Sequence, residues 1–316
     1  MARFINPFTD VGFKKIFGQE VSKELIIDFL NDLLEGERNI RDIRFLDKEL
    51  LPEIEGDRGT VYDIFCISDT GEYFIVEMQN IRQINFSDRA LYYLSRAIAR
   101  QGRPGNWMFA LKAVYGVFFM NFRLHDTTDK LRSDIILANR NTHEQFSDKL
   151  RFIFIELPSF IKEESECETD FDRWIYVLKN METLERIPFK ARKAVFEKLE
   201  QMAEMASMSE KERDRYENSL DIYRDYLATA AYVEQAEEIG MARGMKKGME
   251  KGMKKGIEKG MEKGMEKGME KGLEKGLEKG MEKGKIEVAR NMKSDGLPIH
   301  AITKYTGLPV QEIEKL

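Results

Sequence analysis

The stretch VYDIFCISDTGEYFIVEMQ, residues 61–79, decides the fold of this 316-residue chain. Two runs rich in β-branched and aromatic residues flank the segment 69–71, Asp-Thr-Gly, whose residues are typical of tight turns. This pattern predicts a β-hairpin with one strand on each side of the turn. A three-residue loop centred on Thr70 would place residue 63 directly opposite residue 77.

The hairpin would bring together three polar side chains, those of Asp63, Glu77 and Gln79. Successive residues of a strand point to opposite faces, so Glu77 and Gln79 share one face and Met78 points to the other. In the register above, Asp63 lies on the same face as Glu77, with the two Cβ atoms ~5 Å apart. A shift of one residue would move Asp63 to the opposite face, so this candidate site also predicts the strand register.

Two carboxylates this close repel each other unless they share a proton or a cation. Mg²⁺ is commonly held by one or two carboxylates together with waters and substrate phosphates, and Mn²⁺ accepts the same oxygen ligands. Such an ion can activate a water for attack on a phosphodiester. The alternative is a solvated strand face with ordinary polar residues, and the spacing of the three side chains does not decide between the two.

The segments around the hairpin predict an α/β domain with a mixed sheet over residues 1–160. The predicted elements are helices over 19–35 and 86–102, and strands near 43–51, 114–122 and 150–157. Residues 161–239 are predicted to form a helical extension. It includes a capping box from Ser209 to Glu212, and Pro188 separates two of its helices.

A repeat covers residues 240–284, with glycine at every fourth position and mostly the unit Gly-Met-Glu-Lys. A period of four drifts by ~40° per repeat around a helix, and each glycine costs about 1 kcal/mol relative to alanine. We therefore expect a low-complexity linker that is flexible or transiently helical. The alternative is a glycine-lined helix for self-association, by analogy with GxxxG packing.

Residues 285–316 predict a small helix-turn-helix-like module with Gly307 in its turn. Its expected buried residues are Ile302, Leu308, Ile313 and Leu316. Two functions remain open for this module from the sequence, a helical cap or contact module and a DNA-binding unit.

The net charge of the whole chain is negative, which is not typical of a DNA-binding protein. The chain carries a formal net charge of −5, and residues 241–284 contain 13 Lys or Arg against 8 Glu, a local +5 that leaves −10 elsewhere. DNA binding would therefore depend on local basic patches. Arg89, Arg96 and Arg100 fall on one face of the helix predicted over 86–102 and suit a phosphate backbone; an ordinary solvated helix face is the alternative.

Several classes of protein are excluded by what the sequence lacks. No apolar run approaches the ~18 residues of a membrane span, and the first residues lack the apolar stretch of a secretory signal. Cys66 and Cys167 form no CxxC pair, and no HExxH motif is present, which argues against a disulfide framework and a zinc site. We expect a cytoplasmic protein that does not associate with membranes.

Three segments of the chain resemble the Rpn family of recombination-promoting nucleases, also described as transposases, in the PD-(D/E)XK phosphodiesterase superfamily. The segments are NPFTDVGFKKIFG (residues 6–18), YDIFCISDTGEYFIVEMQ (residues 62–79) and RALYYLSRAIARQ (residues 89–101). The resemblance covers residues 3–160 closely and the helices to about residue 240 loosely.

This resemblance implies a restriction-endonuclease-like αβββαβ core and Mg²⁺-dependent cleavage of DNA. By the same resemblance Asp63 and Glu77 are metal ligands, and Gln79 stands where the superfamily has a lysine. A glutamine there lacks the positive charge that would stabilise the developing negative charge at the phosphate, which implies greater dependence on the metal. Glu24 is a candidate accessory ligand, with a surface position as the alternative.

Together these observations predict a metal-dependent DNA endonuclease linked to recombination, mobile elements or defence against foreign DNA. Asp63 and Glu77 would hold Mg²⁺ or Mn²⁺, and Gln79 would position the attacking water. The three arginines of the predicted helix would guide the DNA backbone, and the C-terminal tail is a candidate for self-association. The alternative is a non-catalytic DNA-binding or protein-interaction module that retains the nuclease fold.

Overall fold

A computed structural model describes residues 2–50, 60–105, 108–124, 130–190 and 193–316 of the chain. The chain divides into two compact units, residues 1–233 and residues 234–316. None of the helices in the described part combines the length and the apolar character needed to cross a lipid bilayer.

The first unit is built on a mixed six-stranded sheet. Its strands are β1 (Ile43–Phe45), β4 (Ile64–Ser68), β5 (Tyr73–Gln79), β6 (Val114–Met120), β7 (Arg132–Ala138) and β8 (Gln145–Glu156), and β2 (Glu49–Leu50) and β3 (Thr60–Val61) form a separate two-stranded ladder. The sheet order is β1-β4-β5-β6-β8-β7. Strands β5, β6 and β8 run parallel, and the other neighbours pair antiparallel.

Helices pack on both faces of this sheet. In chain order the helices of the described residues are α1 (Asp10–Phe17), α2 (Lys23–Leu33), α3 (Phe86–Ala99), α4 (Asp170–Asn180), α5 (Val195–Ala203) and α6 (Glu210–Ser294), and the second unit adds α7 (Ile299–Thr306) and α8 (Val310–Lys315). Short 3₁₀ turns cover Glu20–Ser22, Leu157–Ser159, Glu164–Glu166, Met181–Thr183 and Met205–Ser207. Pro188 lies between α4 and α5, as predicted, and the capping box from Ser209 to Glu212 starts α6.

The core consists of two apolar layers separated by the sheet. One layer joins α1, α2, α4 and α5 to one face of the sheet, and the other joins α3 to the opposite face. All seven residues of β6 are buried, which is why this strand is a continuous apolar run without alternation. Gly116 in β6 allows α3 to lie close, because an added Cβ would come within 2.6 Å of the Leu94 side chain.

The predicted mixed sheet is confirmed, with two differences in its strands. The stretch 43–51 is divided between β1, which pairs with β4, and β2, which pairs with β3; Leu51 lies outside the described residues. Strand β7 was not predicted. Its last five residues are exposed on the edge of the sheet, so its sequence lacks the alternation typical of a half-buried strand.

Residues 240–284, which the sequence predicts to be a flexible or transiently helical linker, are helical throughout and belong to α6, so the flexible form is not the one observed. Three of every four repeat residues are Met, Glu, Lys or Leu, which are strong helix formers, and glycine lowers helix stability without preventing the backbone hydrogen bonds. The apolar residue of each repeat is exposed; the first, Met241, is 77% exposed and the last, Met281, is 66% exposed.

The second unit ends in α7 and α8, which pack on the end of α6. Ala289, Ile302, Leu308 and Ile313 form its small buried core, and Leu316 is partly buried against them. Gly307 ends α7 with a φ of +71°, a left-handed conformation that favours glycine.

Replacing Gly12 with alanine should destabilise the first unit. A Cβ at this position would lie 2.1 Å from the Asn6 carbonyl oxygen and 2.7 Å from the Thr9 hydroxyl, which caps α1. We expect Gly12→Ala to lower the free energy of unfolding by about 1–3 kcal/mol, the usual cost of overpacking, measured by urea unfolding with tryptophan fluorescence. Gly264→Ala, which meets nothing within 4 Å in α6, is the control and should not lower it.

Candidate active site

The hairpin register places Asp63 opposite Glu77, as the sequence predicted. Strands β4 and β5 pair Ile64 with Val76 and Phe65 with Ile75, so the next facing positions are 63 and 77. Gly71 in the connecting turn has a φ of +95°, which glycine tolerates without steric cost. The three-residue turn therefore sets which residues meet at the far end of the hairpin.

Asp63 and Glu77 are held by the backbone of each other's strand. The backbone N–H of Asp63 donates to Oε1 of Glu77 at 3.1 Å. The backbone N–H of Met78 donates to Oδ2 of Asp63 at 2.9 Å. These two bonds continue the pairing of β4 and β5 after the regular ladder ends, and they fix the orientation of both carboxylates.

Burial of this pair makes its negative charge costly. Glu77 is 4% exposed. Burial, and then the neighbouring charge of Asp63, raise the pKa of Glu77 to about 8. Burial also raises the pKa of Asp63. The positive charge of Lys14 in α1 acts against the shift at both carboxylates, and Arg89 acts against it at Glu77.

Gln79 connects Glu77 to Arg89 of α3. The Gln79 amide is 9% exposed, and its Nε2 donates to Oε2 of Glu77 at 3.1 Å. A guanidinium N–H of Arg89 donates to the amide oxygen of Gln79, and another donates to Gln83 at 2.8 Å. The Arg89 guanidinium also lies 5.6 Å from the ring centroid of Tyr93. Arg89 thus turns the amide of Gln79 so that its nitrogen faces the carboxylate.

The structure brings one of the three predicted arginines to the carboxylates. Arg96 and Arg100 follow Arg89 along α3 by about 10 and 16 Å of helix rise. Arg96 lies 6.0 Å from the ring centroid of Tyr92. Arg100 lines a separate surface cavity with Asp47.

Glu24 is not part of this site. Its side chain is 71% exposed and pairs with Lys198 of α5 at 2.9 Å. The surface alternative for this residue is therefore the one observed. An acidic side chain from α1, Asp10, instead lines the same cavity as Asp63.

Sequence reasoning missed the side chains that lie around Asp63. A cavity of about 550 Å³ lies beside Asp63 and is lined by the start of α1, the end of β5 and the first turns of α6. Asp10 pairs with Lys14 at 2.5 Å, four residues along α1. In a sequence this pair is indistinguishable from an ordinary surface pair on a helix, so only the packing of α1 shows that it belongs to the site.

The donor set fits a divalent cation of the Mg²⁺ class. Asp63 and Glu77 supply oxygen ligands, and their mutual repulsion would be relieved by a shared cation. Within the described residues, no group of three or more Asp, Glu, His or Cys side chains is arranged to hold a metal. Two carboxylates completed by waters and a substrate phosphate are the arrangement that Mg²⁺ commonly uses.

The pKa of Glu77 predicts the pH dependence of stability. The folded pKa of about 8 lies above the ordinary 4.5, so the folded chain binds the extra proton and loses stability as pH rises from about 5 to 8. Glutamine does not titrate and so escapes this loss. In EDTA, we therefore expect the melting temperature of Glu77→Gln to rise relative to that of wild type over this pH range.

Glu72 in the hairpin turn provides a control of opposite sign. Burial would raise the pKa of Glu72, but the hydroxyls of Ser68 and Thr70 donate to its carboxylate and the net pKa is lowered. Glu72→Gln should therefore lose stability relative to wild type as pH rises towards the ordinary pKa of 4.5. Parallel pH trends for the two variants would contradict the assignment of a repelling pair at Asp63 and Glu77.

Comparison with known families agrees with this geometry. The model of the family described as PD-(D/E)XK nuclease family transposase matches residues 7–233, and the first compact unit also ends at residue 233. Neither curated proteins nor solved structures give a match. The match covers most of the chain and contains the mixed sheet and the Asp63–Glu77 pair, and it confirms the resemblance: the chain belongs to the PD-(D/E)XK nuclease family of transposases.

Proposed function

We propose that this protein is a metal-dependent endonuclease that hydrolyses phosphodiester bonds in DNA. The observation that carries the proposal is the Asp63–Glu77 pair, which is fixed by reciprocal backbone hydrogen bonds and whose Asp63 lines a cavity. Family membership supports a nuclease function. The description of the family as transposases supports a role in recombination or mobile elements, and defence against foreign DNA is a related role.

In this proposal Asp63 and Glu77 hold Mg²⁺ or Mn²⁺. When bound, such an ion polarises the phosphodiester and lowers the pKa of a water. The backbone N–H groups of Asp63 and Met78 orient the two carboxylates. Lys14 contributes positive charge near both.

Gln79 orients Glu77 and the attacking water. One N–H of its amide donates to Glu77, and we assign the second N–H to the water. Arg89 holds the amide oxygen from the other side, so its charge lies directly behind the glutamine that replaces the superfamily's lysine. Arg96 and Arg100 are proposed to guide the DNA backbone farther along α3.

One alternative function remains for the same fold. A glutamine at this position makes the reaction depend more on the metal and does not by itself argue against cleavage; the second candidate is a DNA-binding or protein-interaction module that keeps the nuclease fold. The two functions are distinguished by whether the protein cleaves DNA in a reaction that needs both the metal and Asp63.

Metal-dependent nicking of plasmid DNA tests the proposal. We expect wild type to nick with Mg²⁺ or Mn²⁺ and not with EDTA, and Asp63→Asn to be inactive because a charged oxygen ligand is lost. Gln79→Ala and Arg89→Ala should lower the rate by about 10–100-fold, as for groups that orient ligands. The matched control is Glu24→Gln, an exposed glutamate of α2 that should cleave like wild type.

A second readout separates metal binding from cleavage. Mn²⁺ should raise the melting temperature of wild type, because a cation that binds only the folded state stabilises it, and should not raise that of Asp63→Asn. Equal cleavage by wild type and Asp63→Asn would contradict the assigned site. Absence of cleavage on single-stranded and duplex DNA would favour the non-catalytic alternative.

We also propose that the repeat in α6 associates with a second copy of itself. Its exposed apolar residues recur every four positions and form an apolar row, so they wind around α6 by ~40° per repeat, and a partner that covers them would have to follow this path in a right-handed sense. The twelve glycines at 240–284 each weaken the helix by about 1 kcal/mol, so an isolated helix would gain stability from a partner that covers the row.

Light scattering after gel filtration tests this association. Glutamine at Met261, Met265 and Met269 should convert a dimer or higher oligomer to the monomer, because the apolar row is interrupted. In the control, the glutamate that follows each of these methionines is replaced by glutamine, and the mass should not change. A monomeric wild type would contradict the proposal.

A further inference from the structure

The cavity beside Asp63 has a wall that lies outside the αβββαβ core. The first turns of α6 supply it through Arg215, Asn218, Ile222 and Tyr226, which follow one another at three- or four-residue intervals and so lie along one side of the helix. The opposite wall includes Asp63 and the start of α1.

Buried contacts hold this part of α6 firmly against the core. The Tyr216 hydroxyl accepts a hydrogen bond from the backbone N–H of Asn6 at 2.8 Å, and the Ser219 hydroxyl accepts one from the backbone N–H of Val11 at 3.2 Å. The Tyr223 hydroxyl accepts one from Asn121, next to the end of β6, at 3.3 Å. The wall of the cavity is therefore a fixed surface.

The exposed row of this helix has the chemistry of a nucleotide-binding surface. Ile222 is 54% exposed and Tyr226 is 53% exposed. In the described chain, no hydrogen bond or ion pair to another residue engages the side chains of Arg215, Asn218 or Tyr226. A cation, an amide and an aromatic ring at the mouth of a cavity suit a phosphate, a base edge and a base face respectively.

An aromatic ring in this position distinguishes unpaired from paired DNA. Neighbouring base pairs cover the faces of each base in a duplex, so only an unpaired or extruded base can stack on Tyr226. A cavity of about 550 Å³ lies in the range of small-molecule sites and can hold a ligand of nucleotide size.

We propose that α6 completes the substrate cleft and that the enzyme acts on DNA with an unpaired nucleotide next to the scissile phosphate. Tyr226 and Ile222 stack on the unpaired base, and Arg215 holds a neighbouring phosphate while the scissile phosphate lies at Asp63. This inference rests on the proposed nuclease function and extends it to the class of substrate.

Binding without cleavage tests the inference. The protein is the full chain carrying Asp63→Asn, in EDTA. The probes are a fluorescein-labelled 20-nucleotide single strand and the blunt duplex of the same sequence, followed by fluorescence anisotropy. We expect tighter binding of the single strand, and Tyr226→Ala should weaken it by about tenfold, the effect of losing one stacked base. Duplex binding should change by less than about twofold, since no base face is available.

Two exposed residues of the same helix provide matched controls. Tyr232→Ala removes an aromatic ring that is 73% exposed and does not line the cavity. Arg224→Ala removes a cation that pairs with Asp221 and lines a different cavity. Both should bind the single strand like the parent protein, whereas Arg215→Ala should weaken binding and lower the salt dependence by about one released counterion. Tyr226→Phe, which keeps the ring, should retain the preference.

Each outcome bears on the inference independently of catalysis. Equal effects of Tyr226→Ala and Tyr232→Ala, equal affinity for both probes, or no binding below about 100 µM, the weak end of non-specific affinity, would overturn it. If wild type fails to cut DNA but Tyr226→Ala selectively weakens single-strand binding, the nuclease proposal fails and α6 remains a site for unpaired DNA. If wild type cuts DNA with a metal and Tyr226→Ala binds the single strand like Tyr232→Ala, the nuclease proposal stands and the substrate inference fails.

Discussion

The candidate site depends on two hydrogen bonds that cross the hairpin, from the backbone of Asp63 to Glu77 and from the backbone of Met78 to Asp63. They form where the regular ladder of β4 and β5 ends, so the same groups that end the pairing of the strands hold the carboxylates. The arrangement keeps two carboxyl groups, each of which disfavours the negative charge of the other, close together in a buried position. Gln79, Arg89 and the charge of Lys14 are all arranged around this constraint.

The parts of the site that follow from local periodicity could be predicted from the sequence. The length of the turn and the alternation of the strands are enough to place Asp63 opposite Glu77, because both are properties of neighbouring residues. The contact of Arg89 with Gln79 could not be predicted, since helical spacing gives the face of α3 and not the direction of a long side chain. Asp10 was missed because its place at the site depends on how α1 packs on distant segments of the chain.

The repeat shows a different limit of prediction from sequence. Each glycine lowers helix stability locally, but most of the other residues of each unit are strong helix formers, and α6 is helical through 240–284. At its start the same helix is fixed to the core by Tyr216, Ser219 and Tyr223. Helix α6 thus has a packed beginning in the first unit and an exposed apolar row in the second.

The crossing hydrogen bonds have a consequence for how the family diverges. Because Asp63 and Glu77 close the end of the hairpin, replacing either acid by a residue that cannot accept these hydrogen bonds would cost strand pairing whatever the activity of the protein. Selection for folding alone can therefore preserve both acids after activity is lost. Gln79 and Arg89 bond to each other without closing the hairpin, so selection for folding constrains them less than it constrains the two acids.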